Sequence, residues 1–99
     1  MPVLSFVSAR ISANRRDEVI RPYSEAVAAG LPPGIRQTFL LQGEDETMAI
    51  ATVWSSREDL DAMVASGEEP FARRILREAG GEPEPRFFEI EAEGRAASG

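Results

Sequence analysis

Apolar and β-forming residues in Val3 to Ile11 (VLSFVSARI) carry a period-two component, which predicts a first strand. Asn14 then supplies an expected N-cap ahead of Arg15-Arg16-Asp17-Glu18, with two acids in the first turn where the helix dipole favours them. Val19, Ile20, Tyr23, Ala26 and Val27 recur at three and four spacing, so one apolar helix face is expected before Gly30 and Pro32-Pro33-Gly34 stop it. Ile35 to Gln42 and Thr47 to Trp54 read as two strands joined by the acidic turn Gly43 to Glu46. Ser55-Ser56-Arg57-Glu58 fits a capping box, Ser55 accepting from the N3 amide and Glu58 reaching back. A helix is expected from about Arg57 to Ala65, with a break near Gly67 to Pro70 and a second stretch from Pro70 to Ala79. Gly80-Gly81, Pro83 and Pro85 end it, and Arg86 to Ala92 (RFFEIEA) is the expected last strand.

The resulting order is β-α-β-β-α-β, and its halves echo each other. That is the ferredoxin-like arrangement, an α+β fold with a four-stranded antiparallel sheet and two helices on one face. Both faces of strands one and three are partly apolar: Val3, Val7 and Ile11 alternate with Leu4 and Phe6, and Met48, Ile50 and Trp54 alternate with Ala49, Ala51 and Val53. Helices cover one face only, so the other is expected to pack on a second copy, sheet against sheet, in a twofold homodimer. The bulkier set suits the space under the helices, which places Trp54 there near Met63 or Phe71, while Ala49 and Ala51 suit a close approach of two sheets. Trp54 itself reads equally as a core aromatic and as the wall of a cleft. Ser8, Arg10 and Thr38 are expected on the opposite face.

Composition narrows the chemistry. Ninety-nine residues with 42% hydrophobic content fit one domain, expected over residues 1–94 with a flexible tail over 95–99. Cysteine and histidine are absent and all 11 basic residues are arginine. Imidazole bases, thiolate nucleophiles, lysine Schiff bases and His/Cys metal cages are therefore excluded. The charge of -6 disfavours nucleic acid, where Lys and Arg must displace counterions. Glu44-Asp45-Glu46 at a hairpin tip point in different directions, so no metal site is expected from them. No apolar run approaches the ~20 residues that cross a bilayer and MPVLSFVSAR lacks a signal-peptide pattern, so no membrane association and a cytoplasmic location are expected.

Val53-Trp54-Ser55-Ser56-Arg57-Glu58-Asp59-Leu60, a strand ending in tryptophan followed by a serine cap and a helix, resembles the antibiotic biosynthesis monooxygenase family of the dimeric α+β barrel superfamily. The resemblance covers roughly residues 3 to 92. It implies a homodimer with a pocket between sheet and helices in each subunit. Some members oxygenate polycyclic phenols or quinols without metal or flavin, some degrade haem, and some act on small signalling molecules. Trp54 matches the pocket tryptophan of the haem-degrading members, but their first-strand asparagine falls at about Ala9 and their haem-ligating histidine near Ile75. Haem degradation by that route is not expected of a chain without histidine.

Oxygenation without a cofactor asks the protein to hold the ring, favour the phenolate and stabilise developing negative charge. Trp54 is the expected stacking surface, with Met63 and Phe71 beside it, and Tyr23 is the candidate catalytic proton donor or relay. Arg36, Arg73 and Arg74 are candidates for holding the anion. Each has a plainer reading: Tyr23 as a core residue with its hydroxyl at the rim, and the arginines as surface residues. The expected ligand is a small aromatic, with no cofactor and no metal. Two rivals stand beside this reading. One is a non-catalytic binding or accessory dimer of the same fold. The other is a tautomerase whose Pro2, exposed by loss of Met1, serves as a secondary-amine base.

Overall fold

The computed structural model describes residues 1–96. Strands β1 (Val3–Arg10), β2 (Ile35–Gln42), β3 (Thr47–Trp54) and β4 (Glu84–Glu89) form one antiparallel sheet in the order β2-β3-β1-β4. Helices α1 (Asp17–Ala29), α2 (Arg57–Ala65) and α3 (Phe71–Glu78) cover one face, so the expected ferredoxin-like α+β fold is the one observed. The expected break after Ala65 separates α2 from α3. Of the tail expected over 95–99, residues 97–99 lie outside the described residues.

Register decides the faces. Val3, Ser5, Val7 and Ala9 of β1 pair with Trp54, Thr52, Ile50 and Met48 of β3, and all eight are buried under the helices. The larger core gathers Val7, Ile11, Val19, Ile50, Ile75 and Leu76 between the sheet, α1 and α3. A smaller cluster of Val3, Trp54 and Leu60 lies where α2 meets the end of the sheet. Apolar alternation in the strands and the buried edge of α3 thus account for how these elements close on each other.

Local details depart from expectation for identifiable reasons. Asn14 does not cap α1: Ala13–Arg15 form a 3-10 turn after Ser12, and α1 begins only at Asp17, with Arg16 ahead of it already in helical conformation. Within α1, Val19 is buried while Ile20 and Val27 remain exposed, so the inner face is narrower than the spacing suggested. Gly30, at φ 104°, ends α1 in a conformation that a side chain disfavours. Ser56, not Ser55, caps α2: its Oγ accepts from the Asp59 amide at 3.2 Å and donates to Asp59 Oδ2 at 3.0 Å. The Ser55 amide is committed to the Gly34 carbonyl at 2.8 Å, and Glu58 is exposed.

β4 starts two residues earlier than expected and ends at Glu89. Pro85 is tolerated within it because β4 is an edge strand. Thr38 corrects a further expectation. An irregularity between Ile35 and Gln37 adds a residue to β2, which puts Ile35 opposite Trp54 and Thr38 opposite Thr52, both on the helix face. Period-two counting from Ile35 assigns Thr38 to the wrong side for that reason.

Candidate active site

Strand ends, α2 and the start of α3 enclose a cavity against Trp54. Its inner wall is Ser5, Thr52 and Trp54 from the sheet; α2 contributes Leu60, Met63 and Val64, and α3 contributes Phe71 and Arg73. Pro85 and Phe87 of β4 form the edge, where Phe87 is 43% exposed. The enclosed volume is about 30 Å³, close to the share of one water in the liquid. A broader hollow of about 550 Å³ lies open beside Ser8, Arg10, Glu82 and Glu84, with no large apolar side chain in its wall. Ligand sites favour enclosed apolar walls carrying a few placed polar groups, and the Trp54 cavity has that composition.

Trp54 resolves as both of its readings. It is 3% exposed, packs with Val3 and Leu60, and lines the cavity. Its indole Nε1–H donates to Ser5 Oγ at 3.1 Å, so the polar edge of a buried ring is satisfied from β1. Ser5 and Thr52 are buried polar residues in this wall, and sequence reasoning did not select either for the site. In VLSFV and ATVW each is a hydroxyl at a period-two position between apolar residues, a pattern that marks the face of the sheet but not a role in a site. Phe87 falls within the expected last strand, but Phe87 and Phe88 are adjacent aromatics and only the pairing with Ser5 shows which of them faces the helices.

Of the expected site residues, the fold brings Trp54, Met63, Phe71 and Arg73 together. It does not bring Tyr23, Arg36 or Arg74 to this cavity. Tyr23 is half-buried against the larger core, on the inner side of α1. Arg36 is exposed at the β2 irregularity, in a cleft of about 280 Å³ that also includes Pro2 and Arg95. Arg74 follows Arg73 on α3, and the turn of the helix carries it out to solvent. Ala9 and Ile75 both belong to the larger core, away from the Trp54 cavity.

Charge in the molecule is arranged on its surface. Arg15 holds Glu18 through Nε and Nη2, each at 2.8 Å, and that hydrogen-bonded pair lowers the Glu18 carboxyl below its ordinary pKa. Among the described residues no group of three His, Cys, Asp or Glu side chains is placed to hold a metal. Among them also, no helix is long and apolar enough to cross a membrane.

No family model matches the chain, and no curated protein does. Solved structures do match its fold. SnoaB, a cofactor-independent oxygenase from Streptomyces nogalater, aligns with a TM-score of 0.65 at 16% identity, over 93% of this chain and 95% of that one. A candidate antibiotic biosynthesis monooxygenase from Deinococcus radiodurans aligns at 0.68 and 14% identity, over 98% and 99% of the two chains. A protein of unknown function from Nitrosomonas europaea aligns at 0.71 and 15%, over 98% and 96%. The resemblance to antibiotic biosynthesis monooxygenases seen in the sequence is therefore matched by structures of the same fold.

Proposed function

We propose that this chain is a cofactor-independent monooxygenase acting on a small phenol- or quinol-type aromatic held against Trp54, and that it works as a homodimer. The observation that carries the reading is the apolar cavity walled by Trp54, Met63 and Phe71, with hydroxyls set into its floor and Arg73 in its wall. The fold shared with a cofactor-independent oxygenase supports it. In the reaction, the deprotonated substrate supplies all the electrons to O2; one oxygen atom becomes a carbonyl of the product and the other leaves as water. The protein's part is to hold the ring, exclude water and favour the anion, and a guanidinium beside the cavity does the last of these.

At about 30 Å³ the cavity admits a ring only when one wall moves. That wall is α2, which buries only Leu60 and leaves Val64 55% exposed. Oxygen uptake with anthrone as probe tests the reading: each O2 consumed should yield one anthraquinone and one water. Activity is expected to fall at least tenfold in Trp54→Ala and to persist in Tyr23→Phe, since Tyr23 packs outside the cavity wall. Equal loss in Tyr23→Phe would restore Tyr23 as the proton relay. Binding of anthrone without oxygen uptake would favour the accessory dimer.

One observation favours a second reading. Pro2 shares its cleft with Arg36, Glu93 and Arg95, the last two paired at 3.8 Å, so loss of Met1 would leave a secondary amine beside the Arg36 guanidinium. If the chain is a tautomerase, keto–enol isomerisation of a phenylpyruvate probe disappears in Pro2→Ala while oxygen is not consumed.

A further inference from the structure

A row of hydroxyls crosses the helix face of the sheet. In register it runs Thr38, Thr52, Ser5 and then Phe87, through β2, β3, β1 and β4. The neighbouring rows are apolar at their centres: Val3 and Trp54 on one side, Val7 and Ile50 on the other. Ser5 is 8% exposed and Thr52 2%. Buried hydroxyls cost free energy unless they are hydrogen-bonded, so each proton in this row needs an acceptor.

The Oγ1 atoms of Thr38 and Thr52 lie 3.3 Å apart, so one of the two hydroxyls donates to the other and one proton of the pair has its acceptor. Ser5 differs. An indole N–H only donates, so in the 3.1 Å contact with Trp54 the Ser5 oxygen is the acceptor and its own proton remains to be given. Among the described residues the Ser5 hydroxyl is given no acceptor, and Ser5 lines the cavity beside Trp54, Thr52 and Phe87. The hydrogen bond received from the indole polarises the hydroxyl and makes it a better donor.

We propose that Ser5 is the specificity-determining residue of this cavity. Its hydroxyl, held by Trp54, donates to a carbonyl or phenolate oxygen on an otherwise apolar aromatic ligand. The inference rests on the Trp54 cavity being the ligand site, and adds which ligands that site accepts. A site whose buried donor has no other acceptor discriminates against the analogue that lacks the oxygen.

Acetophenone and ethylbenzene test this, because they share the ring and its two-carbon side chain and only the first carries the acceptor oxygen. Titrations of the full chain are followed by the fluorescence of its single tryptophan. The preference for acetophenone over ethylbenzene is expected to drop about fivefold in Ser5→Ala and to return in Ser5→Thr, which keeps the hydroxyl. An unchanged preference in Ser5→Ala overturns the role of Ser5 and leaves the cavity as a binding site. Absence of binding by either probe overturns both the inference and the site on which it rests. Should Ser5→Ala fail to fold, the indole N–H proton resonance of the unaltered chain decides. A larger shift with acetophenone than with ethylbenzene supports the proposal, and equal shifts overturn it.

Discussion

Replacing Trp54 with alanine removes the largest member of the cluster it forms with Val3 and Leu60, and a loss of about 3–5 kcal/mol is expected in a denaturant titration. Trp54→Phe keeps most of the apolar surface and should cost far less, although it leaves Ser5 without the indole donor. A similar loss in both variants would mean that the hydrogen bond, rather than the volume, holds this corner together. The face occupied by Trp54 was legible from strand parity. Its burial was not, because depth depends on the angle at which α2 folds back over the ring and on Val3, which lies far away in the chain. Ser5 was illegible for a related reason: a serine inside VLSFV is a polar interruption until β3 places an indole N–H beside it.

Strands and helices were readable because each carries its own period, and their ends were less so because caps are settled by competition among neighbours. Ser55 and Ser56 are both good caps by type, but the Ser55 amide is already bonded to Gly34 in the β2 approach. Ser56→Ala should therefore cost about 1 kcal/mol by thermal unfolding, and Ser55→Ala should be close to neutral. In the β2–β3 turn, Thr47 N–H bonds the Glu44 carbonyl at 3.1 Å across Asp45 and Glu46, which have φ of 54° and 62°. Glycine prefers that left-handed geometry, so Asp45→Gly is expected to stabilise the hairpin by up to about 1 kcal/mol. Glu46 is a poorer site for the same change, since its carboxylate accepts from the Ala13 amide at 2.9 Å. Arg15 and Glu18 predict a pH effect at the start of α1. The folded pKa of Glu18 is depressed, so the contribution is present above the unfolded carboxyl pKa and is lost as pH falls through the folded value. The pair is exposed, so Arg15→Ala should remove a small acid-side dependence that vanishes in high salt.

Across the whole molecule, the unsolved surface is the sheet face away from the helices. Phe39, Leu41 and Phe88 are 43%, 40% and 49% exposed there, around the small side chains of Ala49 and Ala51. This is the surface on which we place the second copy, with the alanines allowing close approach and the aromatics packing across. Light scattering at micromolar concentration should give twice the chain mass, and Phe39→Glu, at an exposed position of that face, should give the monomer with helical content retained. A monomer for the unaltered chain would remove the homodimer from the proposal. The sequence by itself determined the elements, their order and the two-sided apolar character of the sheet, because each is carried by a short-range period. Only tertiary structure decided the extra residue in β2 that turns Thr38 inward, the pairing that sets Ser5 against Trp54, and the exclusion of Tyr23 from the cavity. Those outcomes depend on registers and packing between segments distant in the chain, for which no local pattern carries the information.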